Sequence, residues 1–149
     1  MTQFVLRNDF PALNPIDVSH WLSACRDRSL ATVSEAIIFL RPIFQYLKHE
    51  RLCAILLRCN EVVGLVVAEG QRDRVCACPR SMVKAALLLE ADGVILAHNH
   101  PSGNPAPSQA DICFTRRITN LFRTLNILLL DHVIFANRDF MSFRQEGLL

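Results

Sequence analysis

Two histidines, a serine and an aspartate lie close together around a proline-rich loop. His98 and His100 end an apolar run, and Ser108 and Asp111 open the next helical pattern. Histidines two residues apart near the end of a strand can project to the same side, about 6.6 Å apart along the backbone. Both imidazoles can therefore converge on one metal ion at about 2 Å per bond.

Asp111 provides a third candidate ligand. It is followed at seven-residue intervals by Ile118 and Leu125, so the three side chains share one helix face. A carboxylate on an inward-facing stripe is costly unless it is paired, protonated or bound to a cation. Two neutral imidazoles and one carboxylate leave a fourth tetrahedral position open, as in catalytic zinc sites, where the ion lowers the pKa of bound water toward neutrality. We therefore predict a zinc site formed by His98, His100 and Asp111.

The same residues also have purely structural interpretations. Ser108 and Asp111 match the S-x-x-D capping signature that starts a helix, and an isolated His98 is typical of a hydrogen-bonded core histidine. Ser108 can serve two roles, as a helix N-cap and as a donor to a developing oxyanion. The conjunction of two strand-end histidines with an inward aspartate favours the metal site.

A hydrolase also needs a general base, and several carboxylates are available. Glu50 comes immediately before the apolar run at 52–57, whereas Glu61, Glu69 and Glu90 lie in turns or at element ends. Glu50 also belongs to the charged cluster KHER, which is typical of a solvated segment. Periodicity does not choose among these carboxylates.

The elements around these residues predict an α/β domain with a mixed sheet flanked by helices. Residues 1–46 are predicted to be an N-terminal helical segment after an extended lead-in, with a helix from Asp17 and a second helix capped by Ser34 and interrupted by Pro42. Residues 47–149 are predicted to form the main domain. Its strands are expected at 52–57, 62–68, 75–77 and 94–98, its helices after Pro79 and from 108 to 125, an Asn60–Glu61 turn between the first two strands, and a final hairpin at 127–135 and 140–143.

Composition limits the classes of function. The 149 residues are 51% hydrophobic and carry a net charge of +2, which suits one globular domain and gives no strong field for phosphate. Six cysteines are present, but no C-x2-C pair occurs, so we expect reduced cysteines that act as core filler, with Cys113 among them. Without a signal-peptide pattern or a run of about 18 apolar residues, a cytoplasmic protein with no membrane partner is expected.

Beyond these arguments, the sequence resembles a known family. Glu50, followed by an apolar strand and then HNHPSGNPAPSQAD, is similar to the JAMM motif of MPN/JAB-domain metalloproteases, and most similar to their bacterial RadC branch. The TRR after the aspartate, LLDH at 129–132 and the closing S-F-R-x-E-G-L-L also resemble that branch. The resemblance runs from about residue 48 to the end of the sequence.

This resemblance implies a function and a set of roles. It implies zinc held by His98, His100, Asp111 and a water, with Glu50 as general base and acid and Ser108 supporting the tetrahedral intermediate. It further implies a cytidine-deaminase-like MPN/JAB fold and a peptide or other amide as substrate, without specifying the oligomeric state. Asp131 and His132 are expected to be structural or to lie just outside the metal ligands.

Three departures and several alternatives accompany the resemblance. Arg58 replaces an acidic residue usual in the branch, VCACP replaces a strand of usually small or polar residues, and a DNA-binding helix-hairpin-helix region is not evident. A zinc nucleoside deaminase would need H-x-E and P-C-x-x-C, which are absent. A DNA-associated protein, using Arg116, Arg117 and Arg123, and a non-catalytic MPN scaffold stay open as alternatives, although nucleic-acid binding is not favoured.

Overall fold

The structure is a computed structural model that describes residues 4–7, 29–44, 47–69 and 79–149. Its elements in chain order are β1 Phe4–Arg7, α1 Val33–Phe44, β2 Arg51–Arg58, β3 Glu61–Glu69, α2 Pro79–Leu88, β4 Gly93–Asn99, α3 Gln109–Arg123, β5 Leu128–Ala136 and β6 Asp139–Ser142. The predicted helix from Asp17 and the predicted strand at 75–77 lie outside the described residues.

One six-stranded sheet, in the order β1-β3-β2-β4-β5-β6, organises the molecule. β1 with β3 and β4 with β5 are parallel pairs, whereas the other neighbours are antiparallel. The predicted α/β class with a mixed sheet is thereby confirmed. The lead-in that the sequence suggested to be extended contributes β1 at an edge of this sheet.

Helices cover both faces of the sheet because its central strands are apolar on both sides. All seven residues of β4 are buried, as are the six inner residues of β2. α1 packs on one face through Ile37, Leu40 and Phe44, while α2 and α3 supply Met82, Ala85, Ile118 and Phe122 to the core on the other face. The alternation of a strand therefore places His98, which follows Leu96 by two residues, on the α3 side.

Three local predictions were wrong. Pro42 does not interrupt the second predicted helix but lies inside α1, which continues to Phe44. The other two were wrong by one or two residues. The turn between β2 and β3 is Cys59–Asn60 rather than Asn60–Glu61, because both turn residues take a positive φ, of 51° and 66°, that a two-residue hairpin of type I′ requires. α1 begins after Thr32 rather than at Ser34. Thr32 Oγ1 accepts a hydrogen bond from Glu35 N, and Glu35 Oε2 accepts one from Thr32 N in return, which forms a capping box.

The cysteines divide into two groups. Cys53 is buried in β2 and fits the core role, but Cys59 and Cys113 are exposed, so the prediction that Cys113 fills the core was wrong. None of these three cysteines forms a disulfide bond with a described residue. Cys25, Cys76 and Cys78 lie outside the described residues. Within the part of the chain that the structure describes, no helix combines the length and apolarity needed to cross a membrane.

Candidate metal centre

The three residues predicted as metal ligands come together where β4 ends and α3 begins. His98 Nε2 lies 3.0 Å from His100 Nε2. The carboxylate of Asp111 reaches both rings, with Oδ1 3.2 Å from His98 Nε2 and Oδ2 3.4 Å from His100 Nε2. One ligand atom from each residue fits within 4.8 Å of the other two.

These separations match the size of a zinc coordination sphere. With metal–nitrogen and metal–oxygen bonds of about 2.0 to 2.1 Å, two ligand atoms of a tetrahedron are about 3.3 Å apart. The three contacts between the side chains measure 3.0, 3.2 and 3.4 Å. Each of these contacts is therefore close to the spacing that a small tetrahedral cation needs, with a different oxygen of Asp111 facing each ring.

The tautomer of His100 is set by a backbone carbonyl. Its Nδ1 lies 2.9 Å from the carbonyl oxygen of Asn104, which can only accept a hydrogen bond. The ring proton of a neutral His100 therefore sits on Nδ1. The lone pair on Nε2 is left pointing at His98 and Asp111.

A longer chain of hydrogen bonds sets the tautomer of His98. Thr115 Oγ1 donates to the carbonyl of Asp111 at 2.6 Å, and this uses its only proton. Thr115 Oγ1 must then accept from His132 Nδ1, 2.6 Å away, and His132 Nε2 must accept from His98 Nδ1, 2.8 Å away. Because the terminal carbonyl can only accept, every proton in the chain is determined, and His98 Nε2 keeps its lone pair.

Three acceptors thus converge in one place, and they need a cation or a proton between them. Although burial would raise the pKa of Asp111, hydrogen bonds with His100, His98 and Ser108 hold it well below its usual range. The hydrogen bond with the Asp111 carboxylate, only partly opposed by burial, raises the pKa of His100 above its usual value of 6.5. In the absence of metal, a proton on His100 relieves the repulsion among these atoms.

Asp111 has a second role, because the capping signature is also present. Ser108 is the N-cap of α3, its Oγ accepts from Asp111 N at 3.1 Å, and Asp111 Oδ2 accepts from Ser108 N at 2.7 Å. Ser108 Oγ also donates to Asp111 Oδ2 at 2.6 Å. The structural and the metal-binding interpretations of Asp111 are therefore compatible, and the visible function of Ser108 is to hold that carboxylate. The role of Ser108 at an oxyanion stays a prediction.

Glu50 reaches the site through the pairing of β2 with β4. Leu52 is opposite His98 in this antiparallel pair, so the same register continued by two residues brings Glu50 beside His100. The negative charge of Glu50 contributes to the raised pKa of His100. The half-buried Glu50 is therefore the carboxylate, among those the sequence offered, that the fold brings to the histidines.

Asn99 holds the backbone on both sides of Glu50. Its Oδ1 accepts from Arg51 N at 2.8 Å, and its Nδ2 donates to the carbonyl of His49 at 3.0 Å. Asn99 itself is only 4% exposed, so its side of both hydrogen bonds is shielded from water. The middle residue of the HNH tripeptide thus fixes the position of the candidate base.

Sequence reasoning did not find Asn99 or Thr115, and it left the roles of Asp131 and His132 open. The structure gives Asp131 and His132 different roles. The buried carboxylate of Asp131 accepts hydrogen bonds from His132 N, Ser142 Oγ and Arg144 N, and so joins β5 to the end of the chain. His132 is fully buried, which lowers its pKa, and it contacts the candidate ligand His98 directly. The sequence signal for Asp131 and His132 was that they form a polar pair inside the apolar run 127–135.

Comparison with known proteins identifies relatives along most of the chain. A family model described as RadC-like JAB domain matches residues 30–148. A UPF0758 protein of Symbiobacterium thermophilum is 41% identical over 113 residues, which cover 74% of this chain and 48% of that protein. A UPF0758 protein of Aquifex aeolicus is 36% identical over 122 residues, covering 81% of this chain and 53% of the relative. The chain spans about half the length of these curated relatives.

Proposed function

The chain belongs to the RadC-like JAB domain family, and we propose that it is a zinc-dependent hydrolase of amide bonds, a metallopeptidase or isopeptidase in its chemistry. One observation carries the proposal. The lone pairs of His98 Nε2 and His100 Nε2 converge with the Asp111 carboxylate at contacts of 3.0 to 3.4 Å, beside the carboxylate of Glu50. The donor set of two imidazoles and one carboxylate is that of catalytic zinc.

Zinc and the protein side chains have different roles in the proposed reaction. When bound, zinc supplies Lewis-acid chemistry, polarising a carbonyl and making water more acidic. Glu50 takes the proton of the attacking water and delivers it to the nitrogen of the leaving amine. Asn99 keeps Glu50 in place through the backbone on either side. Ser108 supports the oxyanion if its hydroxyl turns from Asp111 to the substrate.

Metal analysis of purified variants tests the metal site first. We expect about one zinc per chain in the wild type and negligible zinc in His100→Ala, because removing one of three ligands leaves an incomplete donor set. His49→Ala is the matched control, since it removes a nearby imidazole and leaves the backbone carbonyl that Asn99 uses. Equally low zinc in all three proteins would refute the proposal.

Glu50→Gln tests the base separately from the metal. This variant should retain zinc and lose turnover of any amide substrate, because the amide side chain cannot take up a proton. Retained turnover would remove Glu50 from the mechanism. The cytoplasmic location expected from the sequence also stays a prediction.

A DNA-associated role is the second candidate, because Arg116, Arg117 and Arg123 are exposed on α3. No aromatic side chain among the residues of α3 is exposed beside these arginines to stack on bases. We therefore expect weak binding of duplex DNA at physiological salt, measured by fluorescence anisotropy. Tight binding with a steep dependence on salt would favour this second candidate.

A further inference from the structure

A cavity of about 340 Å³ opens beside the candidate metal centre. His100 and Asn99 at the end of β4 form one side, Arg41 and Phe44 of α1 a second side, and the turn residues Asn137 and Arg138 between β5 and β6 a third. Because His100 belongs to both the metal cluster and the wall of the cavity, a group bound in the cavity lies next to the reaction centre. The cavity therefore lies where part of a substrate would fit.

The cavity is joined firmly to the metal centre. Its floor includes Phe135, which stacks on Phe44 with ring centroids 5.1 Å apart. The carbonyl of Phe135 accepts a hydrogen bond from His100 N at 2.8 Å. The floor and the candidate ligand therefore keep a fixed relation to each other.

The charged residues that line the cavity are cationic. Arg41 and Arg138 line it, and none of the described residues that form its walls is acidic. The Arg41 guanidinium is held in place because Nη1 donates to the Arg138 carbonyl at 2.8 Å and Cζ lies 5.7 Å from the Phe135 ring centroid and 5.8 Å from that of Phe140. It forms no ion pair with any residue that the structure describes, so most of its five donors are available.

We propose that this cavity binds a carboxylate of the substrate and so directs the hydrolase to amide bonds next to an acidic group. The proposal rests on the proposed function for its link to hydrolysis. A fixed guanidinium with free donors recognises a planar carboxylate by paired hydrogen bonds. The side chains of Asn99 and Asn137 add polar walls, although the Asn99 amide is already engaged with the backbone of β2.

Two sources could supply this carboxylate, an acidic side chain or the C-terminus of a peptide. Three small compounds distinguish them: N-acetylglutamate α-amide has only a side-chain carboxylate, N-acetylglutamine has only an α-carboxylate, and N-acetylglutamine α-amide has neither. Each is titrated into the full chain, with the NMR signals of Arg41 Nε–H and the Asn137 side-chain amide as the readout. The metal-free protein is used first, so that the carboxylate cannot bind zinc instead.

We expect at least one acidic compound to shift both signals and to bind about tenfold more tightly than the neutral compound, since hydrogen bonds to charged groups have this strength. Arg41→Met should abolish the preference. Arg138→Met, on the exposed turn, should weaken it and keeps the test available if Arg41→Met does not fold. Arg117→Met, exposed on α3, is the control and should change nothing.

Equal binding of the acidic and neutral compounds, or an unchanged preference in both cavity variants, would overturn the proposal. The outcome is independent of the metal test. A chain that binds zinc without preferring a carboxylate loses only this inference. A chain that prefers the carboxylate without binding zinc keeps the cavity as a binding site and loses the hydrolase.

Discussion

The hydrogen-bond chain from His98 to the Asp111 carbonyl makes a sharp prediction for Thr115→Val. Valine has nearly the same shape as threonine but lacks the oxygen that accepts from His132 Nδ1 at 2.6 Å. Nothing then fixes the proton of His132 on Nδ1. If it moves to Nε2, His132 donates to His98 Nδ1, and the proton of His98 moves to Nε2, where it blocks metal binding.

The expected loss is large enough to measure. Residues that orient metal ligands typically change metal affinity by about 10- to 100-fold, or about 1.4 to 2.7 kcal/mol. Keeping the original tautomer instead would leave a buried N–H without an acceptor, at a cost of about 1 to 3 kcal/mol. Thr115→Val should therefore weaken zinc binding by about 10- to 100-fold. The measurement is competition with a chelator of known affinity, together with the nitrogen chemical shifts of the His98 ring.

Thr119→Val is a closely matched control. Thr119 lies one turn further along α3, and its Oγ1 donates to the Thr115 carbonyl at 2.8 Å, just as Thr115 Oγ1 donates to the Asp111 carbonyl. The control removes the same kind of bond to the helix backbone without touching His132. Equal zinc affinity in Thr115→Val and wild type would refute the tautomer argument. An equal loss in both variants would also refute it, because the effect would then come from α3 itself.

Three further predictions follow from the same site. Asn99→Ala should lower the free energy of unfolding by about 2 kcal/mol, because two hydrogen bonds at about 1 kcal/mol each are lost. Hydrogen exchange at the Arg51 amide should also accelerate. The exposed control Asn120→Ala should leave the free energy of unfolding and the exchange rate unchanged. The raised pKa of His100 predicts that zinc affinity increases with pH up to that pKa, with a proton released on binding, which calorimetry in buffers of different ionisation enthalpy measures. A zinc affinity that does not change between about pH 6 and pH 8 would contradict this assignment. In the metal-free protein, the raised pKa of His100 also stabilises the fold below about pH 6.5. This stabilisation is lost as the pH rises through the folded-state pKa.

The set of candidate metal ligands could be predicted from the sequence because local periodicity determines which way each side chain points. The alternation of a strand puts His98 and His100 on one side, and the helical repeat turns Asp111 toward the core. The order of strands and helices within the described part of the main domain followed from apolar runs and turn residues in the same way.

The supporting residues depend on pairings between distant segments. Asn99 reaches the backbone around Glu50 only because β2 and β4 are antiparallel in one particular register. His132 faces the candidate ligands only because β5 pairs in parallel with β4, with His132 opposite Leu96. Periodicity within one segment does not specify such a register, so the roles of Asn99 and His132 required the fold.

The Asp111 carboxylate belongs at once to the capping box of α3 and to the cluster of candidate ligands. A substitution there removes two things together, a candidate metal ligand and the acceptor that the Ser108 N–H uses in the capping box, a hydrogen bond worth about 1 kcal/mol. If an Asp111 variant were inactive, loss of the metal could not be distinguished from fraying of the first turn of α3 as the cause. His100, which follows β4 and caps no helix, separates these effects, so genetic or biochemical studies that need a clean metal-deficient form should begin with His100.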